Sequence, residues 1–128
     1  TAADWLFVEG QGALTHPAYS GVTLGLLHGC IPDALILCHQ PTRARIARQT
    51  MDIPPLRRVV EINEEAASWM QPAPVVGVAL NTFDMSQAEA HAAVRAVEDE
   101  TGLPTTDTVR FGVEPLLDAL DAFEEARG

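Results

Sequence analysis

Two runs, Ala34-Leu35-Ile36-Leu37 and Val75-Val76-Gly77-Val78-Ala79-Leu80, constrain the fold more than any other feature of this chain. Neither shows the apolar-polar alternation of a strand with one wet face. A strand that is apolar on both sides needs cover on both sides, and a parallel sheet sandwiched between helices supplies it. The segments between such runs must then be crossovers, which are usually helical.

The rest of the chain obliges. Trp5–Val8 reads as a first strand, followed by a short helix over Gly21–His28 and a second strand over Asp33–Cys38. Pro55–Met70 places Leu56, Val59, Val60, Ala66, Ala67 and Met70 at roughly helical spacing. Pro72 and Pro74 punctuate before the third strand, Val75–Leu80. Ser86-Gln-Ala-Glu89 is a capping box, and Gly102 followed by Pro104 is a stop signal. A fourth strand is expected over Asp107–Phe111. A last helix then opens near Pro115 and carries Leu116, Leu117, Leu120 and Phe123 as its buried stripe. The expected fold is α/β, a parallel sheet with helices on both faces, in a single domain over residues 1–128.

Composition excludes several partners. The formal charge of −10 argues against nucleic acid, whose phosphates want a basic face. No apolar run approaches a membrane span and no signal peptide opens the chain, so neither a membrane nor secretion is expected, and a cytoplasmic setting follows. Cys30 and Cys38 lack CxxC spacing and read as reduced, packed thiols. The four histidines have no metal-ligand spacing, so a zinc site is not expected. His91 reads as a solvated residue in mid-helix, and His28 as a favourable partner for a helix end. All eight basic residues are arginines, which rules out a lysine base, a Schiff-base lysine or a phosphate-cradling lysine within these residues. The opening Thr1-Ala2-Ala3-Asp4 has no Met, and a piece cut from a larger protein is the simplest expectation.

In open parallel sheets, ligands bind beyond the carboxyl ends of the strands. Four segments should gather there: Glu9–Ser20, His39–Pro54, Asn81–Met85 and the turn at Gly112. Glu9 directly follows four apolar residues. A carboxylate at such a strand tip holds Mg²⁺ through its waters, accepts a substrate proton, or simply bonds local N–H groups. Gly10 and Gly12 favour the first two, because they let backbone or ligand approach closely. Gly10-Gln11-Gly12 is only a GxG, since Thr15 stands where the dinucleotide fingerprint wants glycine. His16 and His39 fall on the same edge as candidate acids, bases or anion donors, with structural hydrogen bonds as the alternative. Tyr19 and Ser20 add hydroxyls near Glu9, without a nucleophile elbow around the serine. Arg43, Arg45 and Arg48 form a cationic loop suited to carboxylate or phosphate, or else to neighbouring acids. Asn81-Thr82 either reads a base or acyl amide, or makes an Asx-turn. Asp107 and Arg110 read as a structural ion pair.

Three stretches also carry a family resemblance: Val8-Glu9-Gly10-Gln11-Gly12, His16-Pro17-Ala18-Tyr19-Ser20 through Leu27-His28-Gly29, and Pro32-Asp33-Ala34-Leu35 through Cys38-His39. Together with Thr101-Gly102-Leu103-Pro104 through Phe111-Gly112, they resemble the C-terminal part of the DUF1611 family. Some members were formerly labelled NAD-dependent epimerase/dehydratases, and the family is now associated with D-glutamate N-acetyltransferases. The resemblance implies the second half of a P-loop NTPase-like, Rossmann-like three-layer domain. Val8-Glu9-Gly10 is similar to the stretch in dethiobiotin synthetase whose glutamate helps bind magnesium and nucleotide. That role would fall on Glu9, as metal ligand or base.

The family's Gly-rich loop with Lys-Ser/Thr would lie upstream of Thr1, so the isolated stretch is expected to be inactive. The implied cofactor is acetyl-CoA, or ATP and Mg²⁺ in a dethiobiotin-synthetase-like alternative. A further alternative is a non-catalytic nucleotide-binding or oligomerisation module. Glu9 and His16 would be catalytic, and Gly10, Gln11, Gly12 and Asn81 would line the cofactor. Tyr19, Ser20, His39, Arg43 and Arg45 would hold the substrate. The expected partners are a small anionic metabolite and further copies of the chain.

Overall fold

The computed structural model describes residues 3–10, 12–42 and 52–128. Four helices and three strands alternate: α1 Ser20–Cys30, β1 Leu35–His39, α2 Leu56–Ser68, β2 Val75–Leu80, α3 Gln87–Thr101, β3 Thr105–Thr106 and α4 Glu114–Ala126. The strands form one sheet in the order β1-β2-β3, and both pairings are parallel. Leu37 lies opposite Val78 and His39 opposite Leu80, while Ala79 meets Thr106 on the other side.

β2 is the axis of the molecule, and its two faces are covered by different helices. Val78 and Leu80 pack with Leu56 of α2 and Val97 of α3 in the main core. Gly77 points the other way: a Cβ there would sit 2.7 Å from Leu116 Cδ2 of α4 and 3.2 Å from the Pro104 carbonyl oxygen. The glycine inside the apolar run therefore exists because α4 and the entry to β3 press against the backbone. Helices on both faces of a parallel sheet are what the unbroken apolar runs require.

The Ser86 half of the capping box and the glycine stop form as expected. Ser86 caps α3, its hydroxyl accepting from the Glu89 N–H at 3.2 Å, and Gly102 ends the helix in the left-handed region at φ 71°. Pro115 occupies the first turn of α4, where its missing N–H has no intrahelical partner to lose. Leu116 and Leu120 are buried beneath it, whereas Leu117 is exposed.

Three expectations are corrected. Trp5–Val8 is extended but belongs to no strand among the described residues. Its side chains are exposed, Leu6 by 83% and Phe7 by 69%, with Trp5 stacked on Phe7 at 6.3 Å. Strand composition is present there, but a strand also needs a partner edge, and none of the described strands pairs with it. The last strand is Thr105–Thr106 rather than Asp107–Phe111. The Asp107 carboxylate turns back to accept the N–H groups of Val109 and Arg110, and the Phe111 N–H closes on the Asp107 carbonyl at 2.9 Å, so the chain folds into a turn. Cys30 and Cys38 are both exposed rather than packed inside.

No described helix is long and apolar enough to cross a membrane. His91 is exposed, with its ring stacked on Phe111 at 4.1 Å.

Candidate functional site at the carboxyl edge

The ends of the three strands are tied together by short bonds. The Asn81 N–H donates to the His39 carbonyl at 2.8 Å, continuing the β1–β2 ladder one step past the strands. The Thr82 N–H and hydroxyl both donate to Asp107 Oδ2, at 3.0 and 2.5 Å, joining the end of β2 to the end of β3. Asp107 Oδ1 takes the Val109 and Arg110 N–H groups at 3.0 and 3.2 Å. Thr82 and Asp107 are both buried. Burial opposes the charged form of Asp107. The bonds from the Thr82 hydroxyl and the N–H groups of Thr82, Arg110 and Val109 outweigh it and hold the carboxyl below its ordinary value.

The expected Asp107–Arg110 ion pair is therefore replaced. Asp107 receives the backbone N–H of Arg110, while the Arg110 guanidinium donates to the carbonyls of Thr82 (2.9 Å) and Met85. Two charged residues of the β3–α4 loop thus pin the β2–α3 loop to it. Thr42 does the same for the loop after β1, donating to Asp84 Oδ2 at 2.6 Å.

Two clefts open on this bonded edge. One, of about 310 Å³, is lined by Cys38, His39 and Gln40 from β1 and by Ala79, Leu80 and Asn81 from β2. The other, of about 340 Å³, lies between the β2–α3 and β3–α4 loops. Asn81 lines both. Its side-chain oxygen accepts the Phe83 N–H at 3.3 Å, the Asx-turn that was one of its two expected roles. Among the described residues, no hydrogen bond is recorded for its amide nitrogen.

Cys38 and His39 present neutral groups to the first cleft. Although Cys38 is exposed as a residue, the partial cover over its thiol pushes it up, and the nearby Glu9 carboxylate pushes it further. Burial pulls His39 down, partly opposed by the charge of Glu100. An unprotonated imidazole in this position can accept a proton. The Glu9 charge is thus close enough to be felt by the Cys38 thiol, near the end of β1. Sequence reading missed Cys38 as part of the cleft, because a cysteine ending an apolar run looks the same whether it is packed or exposed.

The loop before α1 is folded on itself. Gly12 has φ 72°, and a Cβ there would stand 2.7 Å from Tyr19 Cβ, so this glycine lets the loop close against the helix start. His16 stacks on Tyr19 at 4.6 Å, and its Nδ1 accepts the Ala18 N–H at 3.1 Å, which leaves the Nε2 side of the ring as the donor. A Cβ on Gly10 would meet nothing within 4 Å, so space remains beside Glu9. Tyr19 is exposed, and Ser20 opens α1. His28, at the other end of α1, bonds the Ala66 carbonyl at 2.7 Å and so has a structural role. Gln11, Arg43, Arg45 and Arg48 lie outside the described residues. Among the described residues, no three His, Cys, Asp or Glu side chains are grouped to hold a metal ion.

A parallel sheet with helices on both faces and its polar groups and clefts on the carboxyl edge places the chain among the three-layer α/β proteins. Comparison with known proteins carries this further. Residues 1–117 match the family model described as "DUF1611: Domain of unknown function (DUF1611_C) P-loop domain". The chain belongs to the DUF1611 family.

It is similar to a D-glutamate N-acetyltransferase of Tritonibacter scottomollicae, 43% identical over 123 residues, covering 92% of this chain and 36% of that protein. A D-glutamate N-acetyltransferase of a Pseudoalteromonas species is 36% identical over 115 residues, covering 88% of this chain and 35% of that protein. A crystal structure of a DUF1611 family protein from Anabaena variabilis superposes with a TM-score of 0.84 at 41% identity, covering 89% of this chain and 34% of that one. The chain thus spans about a third of the length of the relatives it matches.

Proposed function

We propose that this chain is the C-terminal part of an N-acetyltransferase acting on the amino group of an acidic D-amino acid of the D-glutamate class, with acetyl-CoA as the donor. The observation that carries the reading is the 43% and 36% identity, over most of the chain, to two proteins of that name. In the reaction, the substrate amine attacks the thioester carbonyl. An N–C bond forms, the C–S bond breaks, the ammonium protons pass to base and solvent, and the sulfur leaves as the CoA thiol.

Glu9, whose charge is felt by Cys38 of β1, is assigned as the base that frees the amine, with His16 assisting. His39, Tyr19 and Ser20 orient the substrate, Arg43 and Arg45 receive its carboxylates, and Gly10, Gln11, Gly12 and Asn81 border the acyl donor. Arginine forks fit carboxylates well, and this chain has no lysine to take their place.

The second reading, an ATP- and Mg²⁺-dependent reaction, is favoured by the P-loop description of the matched family model. The residues in hand do not fit a nucleotide triphosphate by themselves. The chain contains no lysine, and among the described residues Glu9 belongs to no metal-binding group of His, Cys, Asp or Glu side chains. No chemical step is assigned through that group.

The test is product analysis with the full-length protein that carries this chain. Incubated with acetyl-CoA and D-glutamate, it is expected to release CoA thiol and N-acetyl-D-glutamate in equal amounts without ATP. Absence of that product, together with ADP release from ATP and Mg²⁺, would replace this reading with the second.

A further inference from the structure

Among the described helices, α1 stands apart. It holds no Asp, Glu, Lys or Arg, and its apolar side chains are spread round the axis rather than gathered on one stripe. A helix of that kind belongs inside a protein, yet none of its residues is buried. Gly21, Gly25 and Gly29 recur every fourth residue and so share a face. All three are exposed, and a Cβ added to any of them would meet nothing within 4 Å. Glycine weakens a helix relative to alanine, and here, unlike at Gly77, no neighbour among the described residues requires it. A row of glycines lets the backbone of a second helix approach closely.

The C-terminal end of α1 carries an apolar shoulder. The Trp69 ring lies 5.2 Å from the ring of His28, and Gln71 Nε2 donates to the Ile31 carbonyl at 3.2 Å, which ties the turn after α2 to the end of α1. Trp69 is nonetheless 59% exposed, and Met70 and Ile31 are exposed beside it. A large aromatic flanked by apolar neighbours is the kind of group that anchors a protein contact.

Charge identifies the occupant. The chain carries a formal charge of −10, so two copies repel over most of their surfaces. α2, α3 and α4 all bear carboxylates, such as Glu61, Glu98 and Asp118, and would oppose their own copies. α1 offers no such repulsion. A basic partner, conversely, would be drawn to the acidic helices and find nothing to hold on α1. The rim beside the shoulder has both signs, with Arg127 and Asp33 3.5 Å apart and each about half exposed. A patch that carries both signs complements itself across a twofold axis.

We infer that the glycine face of α1, with the Trp69 shoulder at its end, is the surface through which two copies of this protein pair, α1 against α1. Pairing does not rest on the chemistry assigned to the carboxyl edge, and acetylation of D-glutamate is read separately.

The experiment is sedimentation velocity of the full-length protein over a concentration series, for wild type, Gly25→Leu and Trp69→Ala. Gly25→Cys is examined by mild oxidation. The wild type should sediment as a dimer or a multiple of it. Gly25→Leu, which has room within its own chain but none against a second helix, should raise the dissociation constant at least about tenfold. Its circular dichroism spectrum should stay unchanged, which separates lost pairing from lost folding. Trp69→Ala should weaken pairing in the same direction. Gly25→Cys should form a disulfide-linked dimer beyond any that wild-type Cys30 gives, because the two Cα atoms must come within about 7 Å for that bond.

A wild-type protein that stays monomeric throughout the series would overturn the inference, as would a dimer whose dissociation constant Gly25→Leu leaves within twofold. If Gly25→Leu does not fold, the cysteine variant decides. A cross-linked dimer upholds the pairing, and none means that another part of the same protein covers this face.

Discussion

Asp107 is the residue on which the carboxyl edge depends most. It is buried, it carries a charge, and four hydrogen bonds from two loops converge on it. In Asp107→Asn, the new amide NH₂ replaces an acceptor, and wherever it lands it faces an N–H or hydroxyl donor. Leaving a buried donor unpaired costs on the order of 1–3 kcal/mol, so the melting temperature should fall by several degrees. The pH dependence has a definite sign. The folded carboxyl titrates below its ordinary value, so its contribution is complete above the unfolded aspartate range and is lost as pH falls through the folded value. Acid denaturation curves of the wild type should therefore be steeper below about pH 4 than those of Asp107→Asn. Equal slopes would mean that the carboxylate is not the acid-sensitive latch. In the sequence, Asp107 and Arg110 were visible as a charged pair three residues apart. Their actual partners were not, because those partners are backbone groups of a loop about 25 residues away, brought close by the β2–β3 register.

At the scale of elements, the sequence was readable wherever the determinant is local. β2, the Ser86 cap, the Gly102 stop and the apolar stripe of α4 all follow from neighbouring residues. Trp5–Val8 and the final strand were misread because strand formation also needs a partner edge, which composition does not reveal. Gly77 shows the same limit from the other side. Nothing in the apolar run itself explains it, yet it is where α4 meets the sheet. Gly77→Ala should destabilise the fold by about 1–3 kcal/mol, because Leu116 and the Pro104 carbonyl must move to admit a methyl group. Chemical denaturation measures this directly. The compensating pair Gly77→Ala with Leu116→Val should recover part of the loss if the clash is the cause. No recovery would shift the blame to the Pro104 backbone.

For the whole molecule, the site is an edge rather than a chamber. Three strand ends are bonded to one another, two clefts open between their loops, and the charge of Glu9, from a segment outside the sheet, is felt at Cys38. The parallel order of the sheet, and with it the carboxyl edge, was legible from the alternation of strands and helices alone, whereas the role of Glu9 there is the proposal tested below. The identity of the family was legible from the residues around Glu9 and Tyr19, and the match over residues 1–117 bears it out. What the sequence could not show was the division of labour, in which Asp107, Arg110 and Thr42 hold loops while Asn81, Cys38 and His39 line space.

The central claim is that Glu9 works at this edge as the base of an acetyl transfer. Steady-state kinetics of the full-length protein with acetyl-CoA and D-glutamate test it, comparing wild type with Glu9→Gln. Loss of a general base should lower kcat by about 10²- to 10⁴-fold, with the KM for acetyl-CoA little changed. A Glu9→Gln enzyme that turns over at the wild-type rate would contradict the account.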